Sequence, residues 1–235
     1  MQIERAEHTC EGRREAHPVS NAADSKRLLV LALFFEGSLV VSALFLAWYV
    51  GLALREQWRV EATAWPEIGL WALPPVVCFF VLVHVPWAPL RRIEALLDEW
   101  FVPLLAELKW HEVGLLAALA GIGEELLFRG VLTPWAMDRL GVLWALVLPN
   151  VLFGLLHPVT PTYAVLAFVA GLYMSCAWYF TGGLQGGLVA PVIAHTVYDW
   201  VAMCYLTMRY RRRVAGNTPG ACGDVPPVAE KRIGS

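Results

Sequence analysis

Residues 28–50 read LLVLALFFEGSLVVSALFLAWYV, an apolar run in which Glu36 is the single charged residue. About 20 apolar residues are enough to cross the hydrocarbon core of a bilayer as one helix. The run ends in Trp48-Tyr49, an aromatic pair typical of the membrane interface. It is also too long for the core of a signal peptide. We therefore expect a retained first membrane span.

The rest of the chain has the same apolar character. Of its 235 residues, 58% are hydrophobic and 16% are charged, whereas an average soluble domain has about 25% charged residues. Further apolar runs predict spans at 68–88, 111–133, 142–157, 162–181 and 187–208. The stretch 90–109 mixes apolar and charged residues at helical spacing, which indicates an amphipathic helix in the interface. The predicted fold class is all-α: a polytopic membrane helix bundle of about six spans.

The distribution of Lys and Arg predicts the orientation of this bundle. Five lie in the N-terminal tail, three within 89–110 and six in the C-terminal tail, against three in the loops of the opposite side. Because positively charged segments stay in the cytoplasm, both termini are predicted to be cytoplasmic. The predicted organisation is a polar, mobile tail 1–27, two spans with the interfacial helix 28–109, a core of four spans 110–208, and a basic, then disordered tail 209–235.

Net charge and cysteine content exclude two classes of protein. A formal net charge of −2 gives no electrostatic basis for a nucleic-acid partner. The five cysteines are scattered and odd in number, so they support neither a disulfide framework nor a zinc knuckle.

The span 111–133 contains an unusual charged segment, Gly123-Glu124-Glu125-Leu126-Leu127-Phe128-Arg129. A charge within a span costs about 2.5–3.5 kcal/mol on insertion scales, so each needs a partner or a function. Glu125 and Arg129 are four residues apart, the spacing of an intrahelical ion pair. Glu124 has no such local partner, and a desolvated carboxyl suits general acid–base chemistry. The structural alternative is a buried ion pair with Glu124 capped by a neighbouring helix.

Two other spans carry polar residues. His157 lies near the end of one span, and His195 shares a helix face with Asp199 one turn later. A satisfied interfacial histidine and a structural His–Asp hydrogen bond would explain each in isolation. Together with Glu124 they form a larger polar cluster than structure alone requires. A glutamate with two histidines indicates activation of water, either directly or through a metal.

Several other hydrolytic chemistries are excluded by their motifs. His111-Glu112 lacks the second histidine of a zinc-type HExxH motif. Neither a GxSxG nor an SxxK nucleophile motif occurs in the chain.

Three segments resemble, in the same order, the three motifs of the CPBP family. They are Glu124-Glu125-x-x-x-Arg129, Phe153-x-x-x-His157 and His195-x-x-x-Asp199. This family comprises the type II CAAX prenyl endopeptidases and their bacterial relatives. The resemblance covers about residues 110–205. It implies that the chain is a CPBP-type intramembrane (metallo)endopeptidase.

The resemblance also implies a role for each matched residue. Glu124 corresponds to the general base that activates the attacking water, and His157 to the histidine that helps to hold this water or a metal. His195 and Asp199 correspond to the pair that stabilises the oxyanion. If a metal is used, the resemblance points to zinc held by Glu124, His157 and His195; a metal-free glutamate mechanism is equally compatible.

The remaining matched positions support the site. Glu125 and Arg129 correspond to the pair that fixes its geometry. Asp199 stands where the prenyl proteases commonly have Asn, whose amide can donate to an oxyanion. An ionised Asp only accepts hydrogen bonds. Three roles for Asp199 therefore stay open: it is neutral, it orients His195, or it binds a metal.

The function implied is hydrolysis of a peptide bond in a lipid-modified or membrane-anchored segment, for which a C-terminal, prenylated peptide is one candidate. The expected partners are membrane lipid and this substrate, and the expected location is a bacterial inner membrane. One alternative is a non-proteolytic bacteriocin-immunity or scaffold protein of the same family. Another is a proton-coupled transporter that uses Glu124 and Glu125, although the paired repeats typical of transporters are not evident.

Overall fold

The computed structural model describes residues 22–216, and within this range it contains helices and turns but no strand. The helices are α1 (Ala22–Val50), α2 (Leu54–Gln57), α3 (Trp65–His84), α4 (Ala88–Leu96), α5 (Val102–Ala106), α6 (Trp110–Leu127), α7 (Thr133–Leu140), α8 (Val142–Leu155), α9 (Pro161–Phe180) and α10 (Val189–Gly216). Two π-helical turns, Leu97–Phe101 and Phe128–Leu132, join α4 to α5 and α6 to α7. The prediction of an all-α bundle is confirmed.

Four helical segments are long and apolar enough to cross a membrane: Ala23–Val50, Ala62–His84, Pro161–Phe180 and Val189–Gly216. Each coincides with a predicted span. The predicted span 111–133 corresponds to α6 and the turn after it, whose carboxylates lower its hydropathy. The predicted span 142–157 corresponds to α8, which has 14 residues, or about 21 Å at 1.5 Å per residue. This is shorter than a hydrocarbon core of about 30 Å.

The amphipathic stretch 90–109 is helical, as predicted, but it is divided into α4, a π-helical turn and α5. Its acidic side chains face the end of α10. Arg209 lies 3.4 Å from Glu94 and 3.3 Å from Asp98, and Arg213 lies 2.7 Å from Asp98. These ion pairs attach the stretch to the last helix of the bundle.

The first and last helices are longer than predicted. α1 begins at Ala22, before the predicted start at 28, and α10 continues to Gly216, beyond the predicted end at 208. Arg209, Arg211 and Arg213 in this extension bind groups on the stretch 90–109; Arg211, for example, donates to the carbonyl oxygen of Leu108 at 3.0 Å. The rest of the predicted polar and disordered tails, 1–21 and 217–235, lies outside the described residues.

α10 packs against both α6 and α3, α1 packs against α6, and α8 packs against α9. Leu29 of α1 and Met203 of α10 join one apolar cluster with Leu105. The start of α1 and the end of α10 therefore lie at the same end of the bundle. At the opposite end, the buried Gln57 donates to the Gly130 carbonyl at 2.9 Å and accepts from Trp178 Nε1 at 3.1 Å.

α6 approaches α10 closely at Gly121. A Cβ atom there would lie 3.0 Å from the backbone nitrogen of Thr196 and 3.2 Å from the carbonyl oxygen of Val192. Small residues allow membrane helices to approach closely. Glycine at this position therefore brings the helix that carries Glu124 against the helix that carries His195.

We expect Gly121→Ala to lower the stability of the protein by about 1–3 kcal/mol, the usual cost of overpacking. The added methyl group meets backbone, which cannot move aside like a side-chain end. Gly37→Ala in α1 is the matched control, because a Cβ atom there has nothing within 4 Å. Thermal unfolding of both variants in detergent would test the contact. A Gly121→Ala variant as stable as Gly37→Ala would contradict it.

Candidate active site

The two adjacent glutamates of α6 have different environments. The Glu125 side chain is fully buried; its Oε1 accepts from Arg129 Nη1 at 3.0 Å and lies 2.7 Å from His195 Nδ1. The Glu124 side chain is 14% exposed, and its Oε2 lies 3.9 Å from His195 Nε2. Among the described residues, Glu124 Oε2 has no hydrogen-bond partner. One carboxyl is therefore fixed by the fold, and the other is available for chemistry.

Arg129 is held in the π-helical turn that follows α6. Besides its predicted ion pair with Glu125, which the structure confirms, it donates to Asn150 Oδ1 at 2.8 Å, to the Gly171 carbonyl at 2.6 Å and to Ser175 Oγ at 3.3 Å. Arg129, Asn150 and Ser175 are each fully buried. The guanidinium therefore connects α8 and α9 to the helix that carries the glutamates.

His195 is oriented by the two carboxylates on either side of its ring. An ionised Glu125 can only accept, so the 2.7 Å contact is a hydrogen bond that His195 donates through Nδ1. The other ring nitrogen, Nε2, lies 3.5 Å from Asp199 Oδ2 and 3.9 Å from Glu124 Oε2. The reactive edge of the imidazole therefore faces Glu124, and the predicted His195–Asp199 contact is present.

His157 follows the end of α8, where its Nδ1 donates to the Phe153 carbonyl at 2.7 Å. This hydrogen bond leaves Nε2 as the free ring nitrogen. The Phe153 ring centroid lies 4.5 Å from the His157 ring and 6.5 Å from the His195 ring. Phe153 thus packs against both histidine rings.

A partly enclosed cavity of about 360 Å³ brings these groups together. Four of the predicted site residues line it: Glu124, His157, His195 and Asp199. The rest of its wall is predominantly apolar and comes largely from α3 and α9, where it includes Pro74, Pro75, Phe79, Leu166, Ala170 and Met174. The cavity therefore presents a polar wall on α6, α8 and α10 to an apolar space between α3 and α9.

The predicted zinc ligands do not form a compact set in this arrangement. Between residues 22 and 216, no group of three or more His, Cys, Asp or Glu side chains is gathered so that it could hold a metal ion. The imidazole nitrogens of His157 and His195 and the Glu124 carboxylate are ligand types that zinc accepts. The zinc alternative stays a prediction, and we derive no step through a metal.

Three buried residues near the site had no predicted role. Asn150 and Ser175 accept hydrogen bonds from Arg129. The carboxyl of Glu36, on α1, lies beside Gly123. The sequence signal for each is a polar side chain within an apolar run. That signal indicates a partner without identifying it.

Comparison with known proteins agrees with this geometry. Residues 106–201 match a family model described as type II CAAX prenyl endopeptidase Rce1-like. Neither the curated proteins nor the solved structures contain a significant match. All six predicted site residues lie within the matched segment, and the contacts between Glu125, Arg129 and His195 explain how its separate motifs form one site. The match covers residues 106–201, about two fifths of the chain, and at the level of the family it supports an intramembrane protease.

Proposed function

We propose that the protein is an endopeptidase that hydrolyses a peptide bond in a lipid-modified or membrane-anchored segment near the C-terminus of its substrate. The observation that carries this proposal is the position of Glu124 on the polar wall of an apolar cavity. Its Oε2 has no hydrogen-bond partner within the described part of the chain, and it lies 3.9 Å from His195 Nε2. A free carboxylate beside a donor is the arrangement that water activation needs.

The mechanism begins with a water molecule hydrogen-bonded to Glu124. The Glu124 carboxylate takes one proton from this water while the water oxygen forms a bond to the carbonyl carbon of the substrate. The resulting oxyanion accepts a hydrogen bond from Nε2–H of the doubly protonated His195 ring. The proton on Glu124 then passes to the leaving nitrogen as the C–N bond breaks, which releases an amine and a carboxylic acid. Preorganised donors of this kind stabilise the oxyanion without reorganisation.

The surrounding contacts support distinct roles for the other residues. Asp199, 3.5 Å from His195 Nε2, is suited to orienting the imidazole, the second of its three predicted roles. Glu125 holds the opposite ring nitrogen, and Arg129 holds Glu125. His157, with Nε2 free on the same cavity wall, is suited to accept a hydrogen bond from the water or the substrate.

The architecture also supports the proposed topology. The start of α1 and the end of α10 share one end of the bundle, and the basic residues Arg209, Arg211 and Arg213 lie there. Basic residues favour the cytoplasmic face. This arrangement is consistent with our proposal that both termini are cytoplasmic and that substrate enters between α3 and α9. The proposed location in a bacterial inner membrane rests on the family resemblance.

His195→Ala is expected to lower kcat by about 10²–10³-fold, the usual cost of losing one oxyanion donor. The assay uses the full chain in phosphatidylethanolamine–phosphatidylglycerol vesicles with fluorescent peptides that carry either a farnesylated cysteine or an apolar helix near the C-terminus. His84→Ala is the matched control, since His84 is exposed at the end of α3 and contacts its own helix.

Protein-dependent cleavage that is equal in wild type and His195→Ala would contradict the mechanism. A complete lack of cleavage of every peptide by wild type would favour a non-proteolytic immunity or scaffold role. The zinc alternative predicts a different result in the same assay: a chelator would abolish cleavage, and added zinc would restore it.

A further inference from the structure

Glu36 is a buried carboxyl in the middle of α1, outside the segment that matches the family. The residue is 8% exposed, and across residues 22–216 its Oε2 has no hydrogen-bond partner. A charged group in a span is costly and marks a functional position unless it is paired. The described residues provide no cation that forms an ion pair with it. The presence of a carboxyl here therefore needs an explanation other than stability.

The backbone places Glu36 directly beside the catalytic helix. A Cβ atom on Gly123 would lie 2.9 Å from the Glu36 carbonyl oxygen and 3.3 Å from Glu36 Oε2. Real Cβ atoms essentially never approach another atom to 2.9 Å, so only glycine permits this contact. Gly123 immediately precedes Glu124. The absence of a side chain at Gly123 thus lets the Glu36 carboxyl lie against α6 at the residue before Glu124.

The electrostatic environment shows which groups Glu36 faces. Its carboxyl lies within the range of electrostatic interaction with His195 and Asp199. The buried Glu124 carboxyl lies within the same range of Glu36. Glu36 and Glu124 each have an Oε2 atom that is buried and lacks a partner in the described part of the chain. Buried polar atoms of this kind are normally satisfied, often by a water that bridges two of them.

We propose that Glu36 is a further residue of the active site, whose carboxylate accepts the second hydrogen bond of the water that Glu124 activates. The inference rests on the proposed endopeptidase function and extends it. When the water donates one hydrogen bond to Glu124 and the other to Glu36, a lone pair of its oxygen is directed towards the substrate carbonyl. Glu124 removes the first proton as the O–C bond forms. The second proton stays on the attacking oxygen and leaves in the carboxylic acid product, so Glu36 undergoes no net change.

The test compares Glu36→Leu with Glu36→Gln. Leucine has no acceptor, so Glu36→Leu is expected to lower kcat about 30- to 100-fold while KM changes by less than about twofold, as a misplaced reactant would. Glutamine keeps an acceptor oxygen, so Glu36→Gln is expected to stay within about fivefold of wild type. The melting temperature of Glu36→Leu is expected to be equal to or above that of wild type, because a desolvated carboxyl has been removed.

Leu39→Ala is the matched control, since the Leu39 Cβ atom lies 3.5 Å from the same Gly123 position and carries no polar group. It is expected to keep the wild-type kcat. A Glu36→Leu variant with wild-type kcat, alongside an inactive Glu124→Gln, would overturn this inference and leave the proposed function intact. Equal losses in Glu36→Gln and Glu36→Leu, or a melting temperature several degrees below wild type in Glu36→Leu, would also overturn it. An active Glu124→Gln would instead overturn the proposed function.

Discussion

Replacing Glu124 by Gln is expected to abolish peptide cleavage, with kcat lowered by about 10³-fold or more, at the upper end of the range for general acid–base catalysis. The amide has nearly the same shape as the carboxyl, but it cannot take a proton from water. In the proposed mechanism this proton transfer precedes every later step. KM is expected to change little, because the apolar walls of the cavity are unaltered. The measurement is single-turnover cleavage in vesicles.

The stability of Glu124→Gln distinguishes loss of chemistry from loss of fold. Glu124 Oε2 has no hydrogen-bond partner among residues 22–216, so the folded protein loses no hydrogen bond there when the charge is removed. We expect an unchanged or slightly higher melting temperature. Glu112→Gln on the same helix is the matched control. Its side chain accepts from the backbone nitrogen of Lys109 at 2.7 Å, which the amide oxygen can still do. Cleavage by Glu124→Gln at the rate of Glu112→Gln would refute the assignment of the base.

The part of this site that follows from spacing could be predicted from the sequence. Side chains four apart meet on a helix, and this rule accounts for the Glu125–Arg129 ion pair and the His195–Asp199 contact. The same rule left Glu124 without a local partner, and within residues 22–216 its Oε2 has no hydrogen-bond partner. Hydropathy likewise located the four helices that are long and apolar enough to cross a bilayer, because this property depends on the length of an apolar run.

The contacts between helices could not be predicted in this way. His195 and Glu125 are 70 residues apart and Arg129 and Ser175 are 46 apart, so their meeting depends on how α6, α9 and α10 pack. A polar residue in an apolar run shows that a partner or a function exists, but the partner is determined by tertiary structure. Glu36 is the clearest case. Its charge was evident, whereas its position beside Gly123 required the packing of α1 on α6.

Arg129→Leu is expected to lower the free energy of unfolding by about 3–5 kcal/mol, the usual cost of removing one partner of a buried ion pair. The substitution leaves the fully buried Glu125 without its arginine partner. It also removes the donor to Asn150 Oδ1 and to the Gly171 carbonyl. Chemical unfolding in detergent micelles is the measurement. Arg139→Leu is the control, because that half-exposed arginine has a 3.7 Å contact with an exposed Asp138 and surface pairs contribute about 0–1 kcal/mol.

The double variant Glu125→Leu/Arg129→Leu separates the structural from the catalytic contribution of this pair. Removing both charges avoids an uncompensated buried carboxylate, so the double variant should be more stable than Arg129→Leu alone. Activity should not return with stability, because His195 Nδ1 loses the acceptor that orients its ring. If stability and activity returned together, the pair would serve only the fold. If neither returned, the stability of this region would depend mainly on the contacts of Arg129 with Asn150 and Ser175 rather than on its charge pairing with Glu125.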